Sequence, residues 1–179
     1  MIDIGAKFGY YAVGLARLHP ESKVLAFDTD PWARRALHEM ASANGVSNLR
    51  IESYCDARRL NECLAGAPPA FFLSDSEGFE AELFTHANQA TLMHATLLIE
   101  THDVFVPGTR AKLESTFAAS HHCLRWGNPG ARQPTPVPLD FLTEAEWPLA
   151  VQEARPPQEW LLLLPRSGPN HHLALSNTG

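Results

Sequence analysis

The residues best suited to do chemistry stand at the front of the chain, in Asp3-Ile4-Gly5-Ala6-Lys7-Phe8-Gly9. An acid, a glycine two residues on and a second glycine four beyond it read as a strand that turns sharply into a helix. Gly5 permits the turn, and Gly9 permits the helix to pack close to the strand. A dinucleotide fingerprint needs further glycines where this chain has Lys7 and Tyr10, and a P-loop needs GKS or GKT, which is missing. A nicotinamide-dependent oxidoreductase is therefore disfavoured. What remains, D-x-G-x-x-x-G, suits a ligand that presents a cationic amine and no phosphate at this turn. Asp28 follows 19 residues after Gly9, the interval expected of an acid that accepts both hydrogens of a ribose diol. Asp56 comes after a third apolar run, where it can accept from an exocyclic adenine amine. Asp3, Asp28 and Asp56 thus fit amine, ribose and adenine in turn.

Such acids act together only if successive strands end at one edge of one sheet. The sequence predicts that arrangement. Strands are expected to Ile4, over Lys23–Phe27, Leu49–Tyr54, Ala70–Leu73, Thr96–Glu100, His121–Trp126 and Glu159–Leu164. Helices are expected over Tyr10–Leu18, Trp32–Ala43, Arg58–Leu64, Glu80–Ala90 and from Pro107-Gly108 to about Ala119. Asp30 before Pro31 is a candidate N-cap with proline in the first turn. Ala33, Ala36, Leu37, Met40 and Ala41 form the helix's apolar face, and Asn44-Gly45 ends it. Strands alternating with helices imply βαβ units, a parallel sheet and helices on both faces. The last two strands lack a convincing crossover helix, so they are expected as an antiparallel edge pair. Residues 127–138 read as a Pro/Gly loop, and Leu142–Val151 as a short helix.

The chain resembles the FkbM type of class I S-adenosylmethionine-dependent methyltransferases. The resemblance is carried by Asp3 to Ala12, by Ala26-Phe27-Asp28-Thr29-Asp30-Pro31, and by Leu73-Ser74-Asp75-Ser76-Glu77-Gly78-Phe79-Glu80. Ile99-Glu100-Thr101-His102-Asp103, Val106-Pro107-Gly108 and the strand from Glu159 complete it. It implies an α/β fold, a Rossmann-like doubly wound sheet of seven strands in a three-layer α/β/α arrangement. The implied strand order is 3-2-1-4-5-7-6, with the last strand antiparallel. It further implies S-adenosyl-L-methionine as cofactor and transfer of its methyl to an oxygen, on a small hydroxylated acceptor of sugar or natural-product type. By the same resemblance Asp3, Gly5, Lys7 and Gly9 hold the methionine end, Asp28 the ribose and Asp56 the adenine. Lys7 stands where the family commonly has Asn, and Asp28 where Glu is more usual.

Methyl transfer to oxygen needs an aligned nucleophile and a place for its proton. His102 is the candidate general base, because an imidazole titrates near neutrality. Asp75 or Glu77 would orient it or the acceptor hydroxyl. Asp75, Glu77, Glu100, His102 and Asp103 are also rich enough in oxygen for Mg²⁺ or Ca²⁺, but their spacing is no ligand signature and no metal is expected. His121-His122 and His171-His172 read as a strand surface and a solvated tail. Cys55 reads as a buried apolar group, Phe8, Tyr10 and Tyr11 as core, and Trp126, Trp147 and Trp160 as packing residues. A catalytically inactive binding or scaffold module of the same fold is the alternative function.

The 14 basic and 20 acidic residues give a net charge of −6. That leaves no basic footprint for nucleic acid or an anionic membrane, and no apolar run is long enough for a membrane-spanning helix. Three scattered cysteines form neither a disulfide framework nor a zinc motif, which favours a reducing, cytoplasmic setting. The 179 residues divide into a methyltransferase domain over 1–165 and a tail over 166–179 expected to be disordered. Only Met1 and Ile2 precede Asp3, so the domain is expected to be shortened at its front.

Overall fold

A computed structural model of the chain describes residues 1–65, 70–127, 141–146 and 158–166. Its strands are β1 Ile2–Ile4, β2 Val24–Phe27, β3 Leu49–Glu52, β4 Phe71–Ser74, β5 Thr96–Thr101, β6 His121–Gly127 and β7 Glu159–Pro165. The helices are α1 Tyr10–Leu18, α2 Pro31–Ala43, α3 Ala57–Leu64, two single turns α4 Glu80–Leu83 and α5 Gln89–Leu92, and α6 Thr109–Phe117. The strands form one sheet in the order β3-β2-β1-β4-β5-β7-β6. β7 runs antiparallel to both β5 and β6, and the remaining pairs are parallel. This is the doubly wound topology the sequence implied. The order reverses at β1, between β2 and β4, so the crevice for a ligand opens beyond the carboxyl ends of those strands.

Alternation along β1 decides what that crevice contains. Ile2 and Ile4 join a large core with Phe27, Leu60, Phe72, Leu97, Leu113 and Leu161. The opposite face carries a smaller core of Ala6, Ala12, Val13, Ala26, Leu37 and Ala41. Side chains alternate along a strand, so Asp3 belongs to the second face, level with Ala26 of β2. Small residues there bring α1 and α2 close to the sheet. A Cβ on Gly9 would stand 2.0 Å from Leu37 Cδ1, at a φ of +92°. The neighbour that requires this glycine is thus helix α2 and not the strand. Gly9→Ala is expected to cost about 1–2 kcal/mol, from left-handed backbone and overpacking together. Chemical denaturation measures it, and an unchanged midpoint would refute this account of Gly9.

Local signals explain most boundaries. Asp30 accepts a hydrogen bond from Trp32 N at 2.9 Å and Pro31 opens α2, as expected. Met40 departs from the expected apolar face and is exposed. The helix read over Glu80–Ala90 is instead two separate turns. Asn88 is the cause: its side chain donates to Leu83 O at 2.6 Å and accepts from Thr85 N at 2.9 Å. It replaces the bonds that would continue the helix, and Phe84 turns extended. His121 is no strand-surface residue. It is buried, with Nε2 against Ala95 O at 2.9 Å and Nδ1 against Ser120 Oγ at 2.8 Å, and burial lowers its pKa. Residues 141–146 form turns. The rest of the helix read over Leu142–Val151, most of the 127–138 loop, Trp147, His171-His172 and the tail beyond Arg166 lie outside the described residues. All three cysteines are free, and Cys55 is buried. Among the described residues no helix is long and apolar enough to cross a membrane.

Candidate active site

The turn after β1 is built from backbone. Gly5 N and Ala6 N both donate to Phe27 O, at 2.9 and 3.0 Å. Gly5, Lys7 and Gly9 all take positive φ. No side chain fits at Gly5: a Cβ would lie 1.8 Å from the carbonyl oxygen of Asp75. The glycine turn therefore rests directly against the end of β4.

Asp28 is fixed by that same turn. Its Oδ2 accepts from Lys7 N at 2.7 Å and its Oδ1 from Asp30 N at 2.8 Å. Arg34 donates to its backbone carbonyl at 2.7 Å. The Lys7 side chain is exposed, with Nζ 5.9 Å from the centre of the Phe8 ring. Its contribution inside the turn is its backbone N–H. Asp56 caps α3 by accepting from Arg59 N at 2.7 Å.

Asp3 is the group out of balance. It is fully buried, and neither carboxylate oxygen has a hydrogen-bond partner. Burial, followed by the charge of Asp75, pushes its pKa up to about 7. The N–H of Ala12, one of the unsatisfied donors in the first turn of α1, offsets part of this without reaching hydrogen-bond geometry. A buried carboxylate without a donor is costly unless a cation meets it.

A second centre lies where β4 and β5 end. His102 is fully buried. Its Nδ1 is 2.8 Å from Glu80 Oε1, a hydrogen bond in which the ring N–H donates. Its Nε2 faces Asp75 Oδ1 at 3.4 Å and Glu77 Oε2 at 3.3 Å, with Glu100 Oε2 at 3.9 Å. The structure thus brings together Asp75, Glu77 and His102, the three residues expected to share the acceptor side. Glu80 was not among the expected site residues, and it is fully buried as well. Glu80 Oε1 also accepts from Ser76 N, Ser76 Oγ and Gly78 N, at 3.0, 3.0 and 3.3 Å. The available signal was an acid facing inward beside Phe79, Ala81 and Leu83. Burial works against both charges of the pair. Their mutual hydrogen bond and attraction, with Asp75 and Glu77 added for the ring, outweigh it. The net result is a raised His102 pKa and a lowered Glu80 pKa. Asp103 sits apart as a cap for α6, accepting from Gly108 N and Arg110 N at 3.0 and 3.1 Å.

Aromatic side chains read as core or packing residues are exposed. Tyr10 is 83% exposed, and Phe8, Tyr11 and Trp126 are exposed too. Tyr11 packs edge-on against Trp160 with ring centroids 6.3 Å apart. Burial, then the charges of Asp75 and Glu100, raises its pKa. Phe105 stacks on His102 at 5.8 Å and is itself exposed.

No family profile and no curated protein matches the chain. Solved structures do match. Precorrin-6y C5,15-methyltransferase from Geobacter metallireducens GS-15 is 12% identical, with a TM-score of 0.53 over 91% of this chain and 78% of that one. An rRNA methylase from Streptococcus thermophilus is 14% identical, with a TM-score of 0.52 over 91% and 85%. Cofactor-bound Rv0187 from MTB is 14% identical, with a TM-score of 0.61 over 93% and 72%. At these identities the likeness establishes the fold, an α/β sheet shared with methyltransferases.

Proposed function

We propose that this chain is an S-adenosylmethionine-dependent methyltransferase of the FkbM type that methylates a hydroxyl of a small acceptor. The observation that carries the reading is Asp3, a fully buried carboxylate without a hydrogen-bond partner beside a turn that excludes any Cβ at Gly5. The methionine ammonium of the cofactor is the cation that site lacks. Gly5, Lys7 N–H and Gly9 shape the cradle, Asp28 takes the ribose hydroxyls and Asp56 the adenine amine. The cofactor supplies a methyl group already activated on a sulfonium, so the protein's work is positioning and proton removal.

The acceptor side is the His102 centre. His102 in its neutral form takes the hydroxyl proton at Nε2, and its raised pKa shifts that form toward higher pH. Glu80 holds the Nδ1 proton throughout and stabilises the imidazolium. Asp75 or Glu77 orients the ring or the acceptor hydroxyl, whose single proton goes to Nε2. The exposed Phe105 and Tyr11 rings offer an apolar wall to the body of the acceptor. The finer FkbM assignment rests on Ser74-Asp75-Ser76-Glu77-Gly78 occurring together with Ile99-Glu100-Thr101-His102-Asp103. One structural neighbour is an rRNA methylase. The charge of −6 favours a small acceptor over RNA. The free cysteines favour a reducing, cytoplasmic setting.

Calorimetry with S-adenosylhomocysteine tests the reading. The full chain is expected to bind it, and Asp28→Ala to weaken binding at least tenfold, since two charge-assisted hydrogen bonds are lost. An absence of binding, or binding indifferent to Asp28→Ala, would sink it.

A further inference from the structure

The unused bonding capacity of His102 has a use beyond accepting a proton. Nε2 is fully buried and makes no hydrogen bond, yet two carboxylate oxygens face it at 3.4 and 3.3 Å. One ligand atom from each of Asp75, Glu77 and His102 lies within 4.8 Å of the others. Those separations are long for hydrogen bonds. They are the spacing of neighbouring ligands on one ion: about 3.0 Å in octahedral and about 3.4 Å in tetrahedral coordination, for bonds of roughly 2.1 Å.

The surrounding bonds favour the same use. A metal-bound imidazole characteristically donates its other N–H to a carboxylate, which fixes the tautomer and aims the lone pair. Glu80 does this for His102 at 2.8 Å and is itself held by Ser76 and Gly78. Glu77 takes a φ of +53°, a conformation uncommon for a residue with a side chain. It brings a carboxylate that is 60% exposed to within 3.3 Å of the buried ring nitrogen. Two carboxylates with one imidazole suit a divalent transition ion better than Mg²⁺ or Ca²⁺, which prefer oxygen alone.

We propose that Asp75, Glu77 and His102 Nε2 form a binding site for one divalent transition-metal ion, with Glu80 as the positioning residue. Ion and proton compete for the same lone pair. A bound ion would lower the pKa of the acceptor hydroxyl, whose proton would then leave to solvent past the exposed Glu77, and without the ion the imidazole takes the proton. Ion binding itself is independent of the methyl-transfer reading, whereas its part in acceptor chemistry rests on that reading.

The test is Mn²⁺ titration of the full chain without cofactor, followed by electron paramagnetic resonance. Mn²⁺ is chosen because it favours the carboxylates and leaves the cysteines alone. One ion per chain is expected, bound at least tenfold more weakly in Glu77→Gln and Glu80→Gln and not at all in His102→Gln. Glu77 is exposed enough that its variant folds, so the result stands even where His102→Gln does not fold. Binding that Glu77→Gln fails to weaken, or no binding by the folded wild-type chain at millimolar Mn²⁺, overturns the proposal. The S-adenosylhomocysteine titration reports on Asp3 and Asp28, so either reading can fail while the other stands.

Discussion

Asp3→Asn is expected to make the ligand-free protein more stable at pH 8 and at the same time to abolish S-adenosylhomocysteine binding. The two effects share one cause. Asp3 is fully buried without a donor, and its pKa rises from 3.8 to about 7 on folding. Between those values the folded chain holds a proton that the unfolded chain has released, so stability falls as pH rises. The fall begins near the unfolded pKa and levels off above the folded one. A shift of this size corresponds to roughly 4 kcal/mol as an upper bound. Asparagine carries no charge and escapes the penalty. The variant should match wild type near pH 4 and exceed it by about 2–4 kcal/mol at pH 8. A buried carboxylate facing an ammonium is worth several kcal/mol to binding, so affinity should drop at least a hundredfold. Wild-type binding should also release close to one proton at pH 6, as the ammonium drives Asp3 to ionise. Denaturation at both pH values and calorimetry in two buffers measure these effects. A wild-type stability flat from pH 4 to 7, or an Asp3→Asn variant that binds as well as wild type, would show that Asp3 is not the cofactor's counter-ion.

Asp3 is legible in the sequence because it interrupts an otherwise apolar strand two residues before a glycine. The same holds for Asp28 and the Asp30-Pro31 start of α2, where a few neighbouring residues carry the whole signal. The sheet order follows from the family resemblance, and the strand and helix sequence from periodicity. What the sequence hides depends on contacts between distant segments. Glu80 meets His102 across 22 residues only because β4 and β5 pair with Ser74 opposite Ile99, which sets their following loops side by side. The break between α4 and α5 depends on where the Asn88 amide points. His121 reads as a surface residue because local polarity cannot foresee a buried carbonyl such as that of Ala95. Tyr10 and Tyr11 read as core because composition alone does not separate an exposed ring from a buried one.

The second large effect is expected at Glu80, where alanine and glutamine should behave differently. A single oxygen, Oε1, serves Ser76 N, Ser76 Oγ, Gly78 N and His102 Nδ1. Glu80→Ala leaves all four donors unserved in a buried place and removes one half of a buried pair, a loss of about 3–5 kcal/mol. It also frees the turn in which Glu77 and Gly78 hold φ values of +53° and +107°, so Asp75 and Glu77 would leave the His102 ring. Glutamine keeps an amide oxygen for the same donors, gives up the charge and puts an NH2 at the buried Oε2 position, with an expected cost of about 1–2 kcal/mol. Methyl transfer should fall steeply in the alanine variant and moderately in the glutamine one. S-adenosylhomocysteine binding should persist in both below their melting points, because Asp3 lies on β1 and Asp28 follows β2. Urea denaturation and cofactor calorimetry on the two proteins separate the cases. If alanine costs under 1 kcal/mol, or glutamine costs as much as alanine, Oε1 is not what holds the turn and the ring together. Equal loss of cofactor binding in both would mean that the β4 turn shapes the cofactor cradle through Gly5 more than it shapes the acceptor side.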